Sequence, residues 1–314
     1  MSEQMVPLAE NGAIAAGSLV WGAGFNAAAS LLYRWWGLLD APDATNIVRF
    51  ADDLFDDEIS LITPEIRAVG RAAIEAELTV LRDFEERSHH LGYDDYRVRW
   101  IDGELFSLEA TFKTQTQGVT ERRVASAVLR RRSNGLFVLH SLNERVVERL
   151  PVSEFEPSYI VNRARATSTR FQAHMDSLTG DASAMRDLMM PSLELHGLVA
   201  SKADRSSAGS TMTGVDDLRK SVAGSDKVVG DAITDFAAFA EWCATTPALF
   251  VYGLHKLEHF TVKPLPDRRY ETVAQYEWHA QTVNGAKIET HHPLTWVLVE
   301  TDEAYMRIEK LLRF

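Results

Sequence analysis

Tyr33-Arg-Trp-Trp-Gly-Leu-Leu-Asp40-Ala-Pro-Asp43 is the stretch of this sequence that decides its fold. Its apolar residues continue a run that begins at Phe25 and recurs at helical spacing, and the turn residues from Asp40 onward end the helix. A second helix of the same kind, predicted from Arg163, ends at Asp176-Ser-Leu-Thr-Gly-Asp181. Further helical segments and then strands follow both helices, so the sequence predicts an internal repeat.

The composition restricts the classes of protein that this chain can belong to. It has 314 residues, and 33 Lys and Arg against 45 Asp and Glu give a formal net charge of −12. An acidic chain is poorly suited to nucleic acid or to an anionic membrane as partner. The length suits about two folded domains. The single cysteine, Cys243, permits no intrachain disulfide, which favours a reducing compartment and predicts a cytoplasmic protein.

The order of predicted elements is the same in both halves. The first copy has three helices (Phe25 to Leu39, Ala44 to Leu54 and Pro64 to Phe84), an early strand from Glu58 to Ile62, and then a meander of strands up to Glu148. The second copy has helices in 163–178, 182–190 and 228–244, an early strand in 192–199, and four strands between 248 and 312. The predicted domains are an N-terminal extension 1–24, a first domain 25–150, a linker 151–162 and a second domain 163–314 with an inserted loop near 202–225.

Several short motifs occur in the same order in both copies. They include Phe50-Ala-Asp-Asp53 and Gly70-Arg-Ala-Ala-Ile74 in the first copy, and Pro191-Ser-Leu-Glu-Leu-His196 and Glu258-His-Phe-Thr-Val262 in the second. With these motifs, each copy resembles the nuclear transport factor 2-like superfamily, in particular its SnoaL-like branch. The resemblance implies an α+β fold of tandem cystatin-like cones, each a curved, mostly antiparallel sheet wrapped around about three N-terminal helices. It also implies that the two domains pack as an intrachain pseudo-dimer.

The resemblance further implies an acid/base pair in each copy. In the dehydratases of the superfamily and in its hexachlorocyclohexane dehydrochlorinase, an Asp orients a His that acts as general base. Carried over to this chain, the pair is Asp176 with His259 in the second copy, and Asp40 with either His90 or its neighbour His89 in the first. A neutral imidazole can take a proton from carbon, while the carboxylate fixes its tautomer and stabilises the imidazolium.

The second copy is expected to carry the better pocket. His255 and His259 are four residues apart and would point the same way along a strand. We expect His255, His196, Trp278 and Tyr252 to contact the substrate. The expected function is a lyase, isomerase or cyclase that moves a proton on a small apolar substrate without a cofactor. A non-catalytic ligand-binding or assembly module of the same fold is the alternative.

Three other hypotheses follow from shorter patterns. Gly22-Ala-Gly24-Phe-Asn-Ala27 reads as the start of a dinucleotide-binding turn, which would make the chain an oxidoreductase. The uncharged stretch from Gly12 to Tyr33 is long enough to span a bilayer but weakly apolar, so no membrane association is expected. The spacing of His255 and His259 suits zinc on a helix, but a strand without a clear third ligand is predicted there, so no metal is expected.

Overall fold

A computed structural model of the chain describes residues 18–41, 54–81, 86–102, 104–116, 118–132, 137–177, 180–196, 232–245, 250–282 and 285–313. The inserted loop predicted at 202–225 lies outside these residues. So does the helix predicted from Ala44 to Leu54, except for its last residue, and so does most of the N-terminal extension.

The described residues form two compact units. Unit 1 contains Gly24–Arg170 and Thr301–Met306, and unit 2 contains 18–23, Phe171–Glu300 and 307–313. Unit 1 therefore includes two segments of the predicted second domain, 163–170 and 301–306. Side chains of the first segment hold the second, since Arg163 donates to the carbonyls of Thr301 and Glu303, and the Thr167 hydroxyl donates to that of Met306.

Unit 1 combines a six-stranded sheet with helices. Helix α1 is Ser18–Leu39 and helix α2 is Arg71–Leu81, with strands β1 Phe55–Ile62, β2 Arg67–Val69, β3 Ser88–Asp102, β4 Leu105–Thr116, β5 Val119–Arg131 and β6 Phe137–Leu150. The strand order is β2-β1-β6-β5-β4-β3, and every pair is antiparallel except β1 with β6. Apolar residues of α1 and of the sheet form the core, including the fully buried Trp35, Trp36, Phe55 and Phe106.

Unit 2 repeats this order with one strand fewer. Helix α3, Tyr159–Ser177, belongs to unit 2 from Phe171 onward. It precedes a 3₁₀ helix Ser183–Leu188, strand β7 Met189–His196, helix α4 Phe236–Thr245, and strands β8 Phe250–Leu265, β9 Arg269–Thr282, β10 Lys287–Val299 and β11 Arg307–Arg313. The strand order is β7-β11-β10-β9-β8, with β11 and β7 parallel and the other pairs antiparallel. Phe171, Phe239, Tyr276 and Trp296 are among its fully buried side chains. The predicted α+β class with mostly antiparallel sheets is confirmed.

Several predicted boundaries are wrong, among them the starts of two helices. The helix predicted from Pro64 begins at Arg71, because 67–69 form a strand against β1, with Ser60 opposite Val69, and Gly70 then takes a positive φ of 85°. A left-handed residue at this point ends the strand and lets the helix start. The predicted linker 151–162 also ends early, since α3 begins at Tyr159.

The glycine pattern Gly22 to Ala27 lies inside helix α1 and not in a turn that follows a strand. The dinucleotide-binding hypothesis is therefore wrong for this stretch, because such a motif needs free backbone N–H groups at a helix start. Gly24 has a packing role instead: a Cβ built there would lie 2.5 Å from Cε1 of Phe106. Among the described helices, none is both long enough and apolar enough to cross a membrane.

Gly24→Ala should destabilise unit 1 by about 1–3 kcal/mol, since overpacking against a buried ring outweighs the ~1 kcal/mol that alanine gains in helix propensity. Phe106 cannot easily retreat, because its ring packs edge-on against Phe137 at 5.0 Å. Urea denaturation measures the loss. The same substitution in a Phe106→Leu background should cost less, and a Gly24→Ala protein more stable than the parent would contradict this packing.

Candidate active sites

Unit 1 brings Asp40 and His89 together at the end of its first helix. Asp40 directly follows α1, and His89 is the second residue of β3. Nδ1 of His89 lies 2.5 Å from Oδ1 of Asp40, and both side chains are buried. Since a carboxylate can only accept hydrogen bonds, Nδ1 is the protonated ring nitrogen. The proton of a neutral ring is then fixed on Nδ1, which leaves Nε2 with its lone pair.

Three more donors hold the Asp40 carboxylate. Its Oδ2 accepts from the hydroxyl of Ser158 at 2.5 Å, from Nδ2 of Asn162 at 3.0 Å and from the backbone N–H of His89 at 3.2 Å. An acidic residue at a helix C-terminus is unfavourable, because the helix dipole is negative there. These donors offset that cost. Asp40 therefore contributes to the structure through its contact with His89 and not by stabilising the helix end.

Aromatic rings enclose the imidazole of His89. Trp36 stacks on it with a centroid distance of 5.9 Å and an interplanar angle of 6°, and the ring of Phe112 lies 6.0 Å away. Within the described part of the chain, no residue forms a hydrogen bond with Nε2 of His89. Unit 1 therefore has an oriented base with an available lone pair, set among apolar rings.

Unit 2 repeats the pair with Asp176 and His255. Asp176 lies in the last turn of α3 and His255 on β8, and Nδ1 of His255 is 2.6 Å from Oδ1 of Asp176. The backbone N–H of His255 donates to Oδ2 at 3.0 Å, as the backbone of His89 does to Asp40. The same two interactions thus recur in both units.

The surroundings of His255 differ from those of His89. Trp278 stacks on the ring at 5.7 Å and 19°, and Tyr276 and His292 contact it edge-on at 6.1 and 5.5 Å. Tyr252 precedes Gly253, where a Cβ would lie 3.6 Å from Oδ1 of Asp176, so this part of β8 is close to the dyad. Burial and then the charge of Asp176 raise the pKa of the Tyr252 phenol. The structure thus places Trp278 and Tyr252, two of the predicted substrate contacts, beside the dyad.

His259 does not pair with Asp176, and this part of the prediction is wrong. The register between β8 and β9 shifts between Leu257, which is opposite Tyr276, and His259, which is opposite Gln275. A bulge that adds one residue moves the following side chains to the other side of the strand. His259 is therefore exposed while the next residue, Phe260, is buried. His255, which was expected only to contact substrate, takes the place beside the carboxylate.

Two other predicted histidines also lie away from the dyads. His90 alternates with His89 along β3, and its Nε2 contacts the Ser88 hydroxyl at 3.0 Å. Burial, followed by the charge of Lys113, lowers the pKa of His90. His196 contacts Glu194 at 2.5 Å, and the residue between them, Leu195, is the buried one. The two-residue period of a strand explains both corrections, since neighbouring side chains point to opposite sides.

The described residues that could hold a metal ion lie outside the two histidine–aspartate dyads. Ligand atoms of Glu277, His279 and Glu289 lie within 4.8 Å of one another on β9 and β10. Glu277 and His279 alternate with the buried Trp278, so they lie on the other side of the sheet from the ring that stacks on His255. His255 and His259 are separated by the bulge and form no such group.

The single cysteine is not a nucleophile. Sγ of Cys243 lies 3.8 Å from Nε2 of His174, a pairing that could activate a thiol. Burial, however, raises the pKa of Cys243 to about 12, so the thiol remains protonated at neutral pH.

Sequence reasoning missed several residues that these sites depend on. Ser158 and Asn162 are polar residues at the start of a helix and carry no signal that they reach a carboxylate 118 and 122 positions away. Trp36 is one of several apolar residues at helical spacing, and nothing in the sequence indicates that its indole stacks on a histidine. The bulge that selects His255 over His259 has no glycine or proline to mark it.

No family model matches the chain, and no curated protein matches it in sequence. Solved structures that are similar to part of it include a hexachlorocyclohexane dehydrochlorinase, LinA-type3, from Novosphingobium barchaimii LL02. That structure is 14% identical, covers 43% of this chain and 95% of its own, and has a TM-score of 0.34. A nuclear transport factor 2 (NTF2-like) superfamily protein from Salmonella enterica is 19% identical over 40% of this chain and 92% of its own, with a TM-score of 0.31.

An uncharacterised protein with a cystatin-like fold from Caulobacter vibrioides is 16% identical over 40% of this chain and 92% of its own, with a TM-score of 0.34. The descriptions NTF2-like and cystatin-like match the superfamily and the fold that the sequence resembles. At such identities and TM-scores the chemistry of a neighbour does not transfer to this chain, whose function has to be inferred from its own residues.

Nitrogen NMR of the protein with isotopically labelled histidine should show two imidazoles protonated at Nδ1 and hydrogen-bonded there. Asp40→Asn should change the signals of His89 alone and Asp176→Asn those of His255 alone, because each carboxylate serves one ring. His259→Ala should leave both sets unchanged. Signals showing both rings protonated only at Nε2 would contradict the two dyads.

Proposed function

We propose that this chain is a proton-transfer enzyme of the lyase, isomerase or cyclase type, with His89 and His255 as general bases. The observation that carries the proposal is the contact of each Nδ1 with a buried aspartate at 2.5 and 2.6 Å. Such a contact holds the ring in one orientation and stabilises the imidazolium that forms when Nε2 takes a proton. Imidazole of this kind carries out the step without a cofactor.

Aromatic rings around both histidines favour a small apolar substrate. Trp36 and Phe112 lie beside His89, and Trp278 and Tyr276 lie beside His255. Aromatic rings bind flat apolar molecules through their faces and edges, and they exclude water from the base. The chemistry of the two sites points to a substrate with an acidic C–H bond, activated by a carbonyl or by a leaving group.

A non-catalytic ligand-binding module is the second candidate. It is favoured by the bonds from the backbone N–H groups of His89 and His255 to the same carboxylates, at 3.2 and 3.0 Å. These bonds connect the end of a helix to a strand, so they would stabilise the fold of a protein that binds a ligand without catalysis. The two candidates differ in whether Nε2 takes a proton.

The test uses 5-nitrobenzisoxazole, whose ring opens when a base removes its only acidic C–H proton. The full chain should accelerate this opening, and His89→Gln combined with His255→Gln should lower kcat/KM about 10²- to 10⁴-fold, the usual contribution of a general base. The single variants report which unit works. Absorbance of the phenolate product measures the rate.

His90→Gln and His259→Gln are the matched controls, since they remove neighbouring histidines outside the dyads. Both should keep the parent rate. Circular dichroism should show that all variants remain folded. A double variant that keeps the parent rate, or a parent no faster than free imidazole at the same concentration, would overturn the enzymatic proposal and favour the binding module.

A further inference from the structure

Unit 1 contains a buried carboxyl group that the proposed mechanism does not use. Glu144 lies on β6 and is 3% exposed. The residue directly opposite it on β5 is Ala125, and the residue opposite Ala125 on β4 is Ala110. Both alanines are buried and carry no polar side-chain atom. The cross-strand neighbours of Glu144 therefore cannot supply hydrogen bonds to its carboxyl.

One oxygen of this carboxyl is anchored and the other is not. Nε1 of Trp35 donates to Oε1 at 3.2 Å. Oε2 is buried and has no hydrogen-bond partner among the described residues. An ionised carboxylate in a protein interior normally has several donors, because burial of an unpaired charge is very unfavourable. A single indole donor is too few for an ion.

The nearby charges do not compensate an ionised Glu144. Arg123 is the neighbouring cation, and its guanidinium is bound by Glu65 at 2.5 Å and by Glu121 at 2.8 Å. Two carboxylates already bind this guanidinium, and Glu121 also contacts the exposed Arg149 at 3.9 Å, whereas no ion pair joins Arg123 to Glu144 within the described part of the chain. Burial raises the pKa of Glu144, and the charges of His89 and Arg123 with the bond from Trp35 only partly oppose this, while Glu65 adds to it.

Consecutive residues of α1 connect Glu144 with the base. Trp35 binds the carboxyl of Glu144, and Trp36 stacks on the ring of His89. When it is protonated, His89 is the charged group that lowers the pKa of Glu144 most, which requires the two side chains to be close. Unit 1 thus has a base with a lone pair on Nε2 and, near it, a carboxyl with an unoccupied oxygen.

We propose that Glu144 is the acid of unit 1, a neutral carboxyl group whose Oε2–H donates to an oxygen of the molecule bound beside His89. The inference rests on the proposed function of His89 and names the class of substrate, which is a compound with a carbonyl or hydroxyl oxygen near the acidic C–H bond. A carboxyl group kept neutral by apolar surroundings can donate such a bond at neutral pH.

The proton transfers balance for both kinds of oxygen. In an elimination, Nε2 of His89 takes the C–H proton, the C–O bond breaks, and Oε2–H protonates the departing oxygen to give water and an alkene. The imidazolium then returns its proton to Glu144 through solvent. In an isomerisation, Oε2–H protonates the carbonyl oxygen as the enol forms. When the double bond has moved, the imidazolium of His89 gives its proton to carbon, and the enol O–H returns its proton to Glu144.

The protonation state can be tested on the full chain without a substrate. Infrared spectra at pH 7 should show the C=O band of a protonated carboxyl, and Glu144→Gln should remove it. A group whose pKa is raised by folding stabilises the protein below its unfolded pKa, and this contribution is lost as pH rises through the folded value. Raising the pH should therefore increase the unfolding constant of the parent relative to Glu144→Gln, up to tenfold per pH unit.

Glu109→Gln, which removes an exposed carboxyl from β4, is measured in parallel to subtract the general effect of a lost charge. The parent and Glu144→Gln share the other titratable groups around Glu144, which are Asp40, Glu65, Glu121, His89 and Arg123. A spectrum without the protonated band, or a stability difference that does not change with pH, would show that Glu144 is ionised and would overturn the proposal.

The donor role is tested with 4-nitrophenolate, whose oxygen is a strong acceptor. The parent should bind it at least about tenfold more tightly than Glu144→Leu, as expected for a hydrogen bond to a charged group. Glu144→Gln should fall between them, because its amide donates more weakly. Equal affinities, or no binding by the parent, would overturn the donor role. Failure of the His89→Gln rate test with an intact carboxyl band would instead contradict the function of His89 alone.

Discussion

The buried carboxylate at the end of a helix is the constraint on which both units depend. Asp40 sits where the helix dipole disfavours a negative charge, and it is retained by donors from three separate parts of unit 1: His89 on β3, Ser158 before α3, and Asn162 on α3. One side chain thus sets the position of a strand, of a segment without regular structure and of a helix. It also fixes the tautomer of the histidine. A residue that is locally unfavourable and globally satisfied is typical of a functional position.

The dyad recurs in unit 2, but its surroundings are different, and this difference separates the two sites chemically. Around His89 lie Trp36 and, close by, the buried carboxyl group of Glu144. Around His255 the neighbours are the aromatic rings of Trp278 and Tyr276 and the imidazole of His292. The same orienting carboxylate is therefore combined with a carboxyl acid in one unit and with aromatic and imidazole groups in the other. This contrast favours different substrates, or different steps, for the two sites.

The helix and strand pattern was largely predictable, because apolar periodicity reports directly on which residues are buried. The repeat, the meander of strands and the two helix-end aspartates were all found in this way. The helix predicted from Pro64 was wrong at its start, because sheet hydrogen bonds outweighed the helix propensity of the residues there. Segment 67–69 pairs with β1 although its residues suit a helix, and Gly70 separates the two structures. The glycines of α1 were misinterpreted as a dinucleotide-binding turn, because close packing on Phe106 and a phosphate-binding turn both require a residue without a side chain.

By itself, the sequence determined the α+β class, the internal repeat and the two aspartates that end the long helices, since these depend on local periodicity and on turn residues. Only the tertiary structure decided which histidine meets each aspartate. His89 and His90 are adjacent and point to opposite sides of one strand, and a one-residue bulge between Leu257 and His259 turns His259 outward and leaves His255 at the carboxylate. The tertiary structure likewise decided that Glu144 is buried with one unoccupied oxygen. Strand register and bulges arise from pairing between distant segments, so local sequence does not encode them.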